Sequence, residues 1–194
     1  MSEYLVQNAL HRHLSGLNRW PILPNCDVIT GFEADLLALT KARMVYEYEI
    51  KCSLADLRAD RKKVAKWASL EGRTVERPHP WNKDRTQHIM VGSDVPGSGY
   101  SWPLVCHPDR RPKQFWYVCH GFEPTLDELP AIAGLMVTEV RDDLIASRQI
   151  QFRVVREAQT LDSQPAELKL VEHAERNMLY RYWRLRCKEE GEAQ

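Results

Sequence analysis

The sequence contains no CxxC pair, and its five cysteines (Cys26, Cys52, Cys106, Cys119 and Cys187) are odd in number and scattered. That argues against a disulfide scaffold and against a zinc ribbon. No apolar run approaches the ~18 residues of a membrane-spanning helix, so no membrane partner is expected. The opening "MSEYLVQNALHRHL" lacks the charged-then-apolar layout of a signal peptide. A reduced, cytoplasmic protein is the expectation. Charge of one sign is missing too: Lys+Arg and Asp+Glu stand at 27 each. Net charge therefore points to no partner, although a local basic face can still attract nucleic acid. There is no internal repeat and no low-complexity tract.

What remains is an ordinary globular composition. With 43% hydrophobic and 28% charged residues in 194, the chain can build a real core. The expectation is one domain over 1–188, interrupted at about 73–113 and followed by a disordered tail, 189–194. Leu5, Ala9 and Leu14 sit at helical spacing, with Ser2 as N-cap and Glu3 in the first turn. "NRWPILPNCD" reads as a proline-punctuated connection. "GFEADLLALT" and "RMVYEYEIKC" read as an antiparallel pair of strands turning at Lys41 and Ala42. "CSLADLRADRKKVAKWASLEG" reads as one helix, with Ser53 as N-cap and Gly72 as its stop. Between Arg73 and Lys113, six prolines and three glycines leave only "HIMVG" as a strand candidate. "QFWYVCH", "GLMVTEV" and "IQFRVVREA" follow as strands, then a helix from about Ala166 to Lys188. The order α-β-β-α-loop-β-β-β-α predicts an α/β sandwich.

One stretch, "FEADLLALTKARMVYEYEIKC", stands out. Glu47, Glu49 and Lys51 alternate and so project from one side of their strand, and tight antiparallel pairing sets Asp35 close to that row. Two readings are open. Alternating charges can form a solvated strand face. Gathered carboxylates can instead hold a hard divalent ion such as Mg²⁺, with a lysine stabilising charge on a phosphate. Asp35 favours the second, because its neighbours in "ADLLAL" suit a strand buried on both faces.

Asp35, followed fourteen residues later by Glu49-Ile50-Lys51 and then by a basic helix, resembles the PD-(D/E)XK nuclease superfamily. The longer string "YEYEIKCSLADLRADRKK" resembles its MmcB-like and phage-encoded branch. The resemblance is good from Glu33 to about Lys66 and weaker over "QFWYVCHGFEP" and "AGLMVTEV". It departs in having Ala34 where the motif's proline stands. It implies a restriction-endonuclease-like three-layer sandwich, a central mixed sheet flanked by helices. It also implies a Mg²⁺- or Mn²⁺-dependent deoxyribonuclease serving DNA repair, recombination or phage DNA processing. Asp35 and Glu49 would hold the metal, Glu47 would be a third ligand or an outer partner, and Lys51 would be the catalytic lysine. The alternative is a catalytically silent nucleic-acid-binding module of the same fold. Cutting of both strands would imply a homodimer.

Further residues carry weaker signals. Arg58, Arg61, Lys62, Lys63 and Lys66 form the basic side of the helix after Lys51, either a solvated face or a set of phosphate contacts. Glu3 is a further carboxylate near the site, or simply a first-turn acid favoured by the helix dipole. Asp56 reads as a cap, whereas Asp60 has no such local explanation. Cys106-His107 and Cys119-His120 fit no common zinc spacing. Trp81 and Trp102 suit base stacking better than Phe115 and Trp116, which read as core. The last helix, with Tyr180, Tyr182, Trp183, Arg181, Arg184 and Arg186, reads equally as a partner surface, a nucleic-acid contact or ordinary packing.

Overall fold

The structure is a computed structural model that describes residues 3–72, 76–77, 87–88, 111–141 and 150–192. Helix α1 (Glu3–Gly16) leads into strands β1 (Ile22–Cys26), β2 (Ala34–Leu39) and β3 (Val45–Lys51). Helices α2 (Leu54–Asp60) and α3 (Val64–Leu70) follow, then a two-residue pair, β4 (Glu76–Arg77) with β5 (Gln87–His88). Strands β6 (Gln114–Cys119), β7 (Gly134–Val140) and β8 (Ile150–Arg156) precede the long helix α4 (Leu168–Glu192). Apart from His88, "HIMVG" lies outside the described residues, as do Trp81, Tyr100, Trp102 and Cys106-His107.

Six strands form one open mixed sheet in the order β1-β2-β3-β6-β7-β8. β3, β6 and β7 are parallel and central, whereas β1, β2 and β8 join antiparallel. One face carries α1, whose Val6, Leu10 and Leu14 pack against Leu36, Tyr48, Ile50 and Val118. Of the expected Leu5, Ala9 and Leu14, the last two are buried, whereas Leu5 is exposed and Val6 faces inward in its stead. On the other face, Leu57, Trp67 and Leu70 pack against Phe115 and Tyr117, and α4 lays Val171 and Ala174 over Leu23, Leu37 and Leu39. The result is the expected α/β sandwich of helices on both sides of a mixed sheet.

Three elements differ from the sequence reading. α4 continues to Glu192, four residues into the stretch expected to be a disordered tail. "ILPNC" is an edge strand rather than a connection; Pro24 is tolerated because an edge leaves one side of the backbone unpaired. The helix expected after Ser53 is two helices. The chain turns at Arg61–Lys63, where Lys62 and Lys63 donate to the carbonyls of Ala59 and Asp60. The Asp60 carbonyl accepts a second hydrogen bond from the Trp67 indole N–H at 3.1 Å, which ties the end of α2 to α3.

Gly134 shows how tightly the centre is packed. It pairs with Trp116 across β6 and β7, and a Cβ there would lie 2.4 Å from the indole Cε3. Trp116 is 6% exposed and has no room to retreat. Gly134→Ala should therefore cost about 1–3 kcal/mol through overpacking. Thermal unfolding should show a drop of several degrees, and a melting temperature equal to wild type would refute this close approach.

Candidate active site

β3 is buried along its whole length, on both faces. Glu47, Glu49 and Lys51 share the side facing α2 and α3 and are 1%, 2% and 5% exposed. A solvated strand face is thus excluded. An ionised carboxylate in such a place needs compensation, and a lysine supplies it. Lys66 of α3 points inward, placing Nζ 2.8 Å from Glu47 Oε1 and in direct contact with Glu49 Oε1. Lys51 Nζ lies 3.1 Å from the other Glu49 oxygen and 3.8 Å from Asp60 Oδ1.

Asp60, the acid without a local explanation in the sequence, is 1% exposed and forms the far end of the same network. It accepts from Tyr117 Oη at 2.7 Å and pairs with Lys63 Nζ at 2.6 Å. Burial alone would raise its pKa, but Lys63, Lys66, Tyr117 and Lys51 together hold it below the usual range. Burial would likewise lower Lys66, and Glu47 and Glu49 outweigh it, so its pKa is raised and it stays charged. Lys51 is raised in the same way, by Glu49 and Asp60 against its own burial.

Asp35 stands apart. The register of β2 and β3 pairs Leu36 with Tyr48, which sets Asp35 opposite Glu49. Its Oδ2 accepts from the Ile50 N–H at 2.6 Å. Three buried carboxylates (Glu47, Glu49, Asp60) are matched by three lysines (Lys51, Lys63, Lys66); half-exposed Asp56 lies 4.0 Å from Lys51, and Asp35 is the fourth enclosed acid, with no ion pair among the described residues. Burial, then the charge of Glu49, lifts its pKa from 3.8 to about 6, against the Ile50 N–H and the charge of Lys51, which pull it down, and Glu3 of α1 adds a smaller upward push. Lys51 is the last residue of β3, so the pair lies at the carboxyl end of a central parallel strand, where open α/β sheets characteristically bind ligands. His120, one residue past β6, donates its backbone N–H to the Lys51 carbonyl and sets Nδ1 2.6 Å from Thr138 Oγ1.

The arrangement suits a hard cation at one place only. Asp35 and Glu49 face each other with like charge, and Asp35 retains an oxygen beyond the one bonded to Ile50. Among the described residues no group of three or more acidic, His or Cys side chains converges. A cation would thus rest on two carboxylates and fill its shell with water, as Mg²⁺ commonly does. Glu47, expected as a third ligand or an outer partner, is enclosed and paired with Lys66, which also contacts Glu49, an arrangement that suits the outer role.

The basic side of the helix also divides. Lys66, expected to meet phosphate, is turned into the core because the break at Arg61–Lys63 resets the phase of α3. Lys63 pairs with Asp60, and Arg58 with Glu128 at 2.7 Å. Arg58, Arg61, Lys62 and Lys63 are exposed beside the site. Phe115 and Trp116 are core, as read from the sequence, and Cys119 is buried with them. Lys66 is the functional residue whose role sequence reading missed. Its one signal was the excess of acid over Lys51 on β3, which called for a second buried cation.

No family model matches the sequence, and no curated protein is similar enough to match it. Among solved structures, a protein of unknown function from Silicibacter pomeroyi shares the fold. The TM-score is 0.50 at 15% identity, over 96% of this chain and 90% of that one. At that identity the likeness establishes an α/β fold with an open mixed sheet between helices. Among the described residues, no helix is long and apolar enough to cross a membrane.

Lys66→Met should cost about 3–5 kcal/mol, because it leaves Glu47 buried without its cation. Adding Glu47→Gln in that background should recover part of the loss. Urea unfolding of the two variants checks this, and wild-type stability in the single variant would remove Lys66 from its central role. Asp35 predicts a pH dependence of defined sign. Its folded pKa of about 6 exceeds the unfolded 3.8, so its contribution is full below the lower value and is lost as pH rises through the higher. Asp35→Asn keeps the acceptor for Ile50. In chelator-treated buffer it should exceed wild type at about pH 7.5 by on the order of 1–2 kcal/mol after solvent screening, and by less at about pH 5. Paired unfolding curves at the two pH values test the sign.

Proposed function

We propose that this protein is a divalent-metal-dependent nuclease that hydrolyses phosphodiester bonds in DNA. The observation that carries this reading is the juxtaposition of Asp35 with Glu49 across β2 and β3, with Lys51 bonded to Glu49 at the carboxyl end of β3. It is the spatial counterpart of the sequence's resemblance to the PD-(D/E)XK superfamily. Asp35 and Glu49 are the metal-holding carboxylates; Mg²⁺ or Mn²⁺ bound there would make water a stronger nucleophile and offset phosphate charge.

The chain's own groups have separable tasks. The Ile50 N–H fixes the Asp35 carboxylate by one oxygen and leaves the other directed by that bond. Lys51, held as a cation by Glu49 and Asp60, stabilises negative charge growing on a phosphate and orients an attacking water. Lys66 fixes Glu49 from below. The exposed Arg58, Arg61, Lys62 and Lys63 supply salt-sensitive contacts to the DNA backbone near the site. No covalent enzyme intermediate is required.

A second reading has an observation of its own. Both Glu49 oxygens already contact lysines, Lys66 and Lys51, so the network is electrostatically satisfied apart from Asp35. A catalytically silent DNA-binding module would look the same. Purified protein incubated with single-stranded, duplex and branched DNA, each with Mg²⁺, Mn²⁺ or chelator, separates the two. Metal-dependent cutting that falls by roughly 100-fold or more in both Asp35→Asn and Lys51→Met, with both variants folded, is the expected outcome. Salt-sensitive binding without cutting on any of these DNAs would establish the silent module.

A further inference from the structure

α4 is longer than the body it packs on. It starts beside the β2–β3 turn, where Ala166 donates its N–H to the Arg43 carbonyl at 2.9 Å, and it runs alongside β1. Arg181 Nη1 reaches the Asn25 carbonyl at 2.6 Å. In the β1–β2 register, Pro24 pairs with Leu36 and Cys26 with Ala34, so Asn25 lies beside Asp35. Gln7 ties the two together, its Nε2 donating to the Asp35 carbonyl at 2.6 Å and lying 3.4 Å from Asn25 Oδ1. The helix therefore draws level with the Asp35–Glu49 pair at Arg181, on the face that carries their side chains. Adjacent strands are about 4.8 Å apart, so Asn25 is two strands, about 10 Å, from Glu49. Residues 182–192 continue for about 16 Å past this same end of the sheet.

The composition of the second half of α4 is specific. Between 176 and 188 stand Arg176, Arg181, Arg184, Arg186 and Lys188 with no acid among them, and the acids Glu189, Glu190 and Glu192 follow only after them. Leu179, Tyr180, Tyr182 and Trp183 are 55%, 69%, 54% and 57% exposed. Exposed aromatic rings interleaved with cations are what an unpaired nucleic-acid strand recognises: bases stack on the rings and phosphates meet the cations. A duplex hides its base faces, and a second copy of the chain is the competing occupant that the test below separates.

We propose that the second half of α4 is a binding surface for unpaired DNA. Tyr182 and Trp183 stack bases, and Arg184 meets phosphate, on a strand that leads to the Asp35–Glu49 pair. This names the substrate class of the nuclease reading and, as to cleavage, rests on it. Strand binding itself stands independently.

The test uses the full chain, a fluorescent 12-nucleotide thymidine oligomer and a duplex of the same length, in chelator so that nothing is cut. The oligomer should bind more tightly than the duplex. Tyr182→Ala and Trp183→Ala, both at exposed positions, should each weaken oligomer binding roughly 5- to 100-fold and leave duplex binding nearly unchanged. Arg184→Gln should reduce the slope of log affinity against log salt by about 0.7. Unchanged oligomer affinity in both aromatic variants overturns the proposal. So does their converting a dimer to a monomer in sedimentation without affecting DNA affinity, which assigns the surface to a second copy of the chain. Oligomer binding that depends on the rings, without cutting on adding Mg²⁺, sustains this proposal while the nuclease reading fails. Cutting with ring-independent binding does the reverse.

Discussion

A single ammonium group, that of Lys66, makes the central strand possible. β3 is covered on both faces, and the face toward α2 and α3 carries two glutamates where apolar side chains would be expected. Neither could remain ionised there alone, since the desolvation of one carboxylate costs several kcal/mol. Lys66 touches both, and Lys51 takes the remaining oxygen of Glu49. The turn at Arg61–Lys63, the inward course of α3 and the burial of Asp60 all serve to bring that one cation to the sheet.

The network is balanced for three of its acids and not for the fourth. Asp35 sits at the rim, close enough to Glu49 to feel its charge and bonded to a single backbone N–H. An apolar side chain there would avoid the charge but would leave the Ile50 N–H without this acceptor. In the reading proposed above, the pairing of Asp35 with Glu49 is what a cation would offset. The same rim has the exposed arginine and lysines of the α2–α3 junction on one side and α4, passing at Arg181, on the other. The Asp35–Glu49 pair, the exposed cations and the exposed rings thus lie toward one end of the sheet, while the opposite end holds the β2–β3 turn and the start of α4.

Much of the fold was legible because its signals are local. Alternation in "VYEYEIK", the Ser53 cap and the apolar runs of "QFWYVC" and "GLMVTEV" report conformation within a few residues, and each stands where it was read. Pro24 misled the reading of β1 because edge position, which makes proline tolerable, is a property of the whole sheet. The helix after Ser53 was read as continuous because no proline or glycine interrupts "RADRKKVAK". It breaks because Asp60 finds Tyr117, fifty-seven residues away.

The candidate site divides along the same line. By itself the sequence determined which residues share a strand face, and therefore that Glu47, Glu49 and Lys51 lie together and that a tight hairpin brings Asp35 to them. It contained no information on which cation answers which acid. Lys66 was indistinguishable from Lys62 and Lys63 in a run of basic residues, and only the packing of Trp67 and Leu70 against Phe115 and Tyr117 turned it inward. Tertiary structure alone decided that Glu47 pairs with Lys66, that Asp35 makes no ion pair among the described residues, and that α4 passes beside it at Arg181. The physical reason is range: side-chain alternation is set by the backbone within a few residues, whereas the compensation of a buried charge is set by whatever the fold brings within about 4 Å.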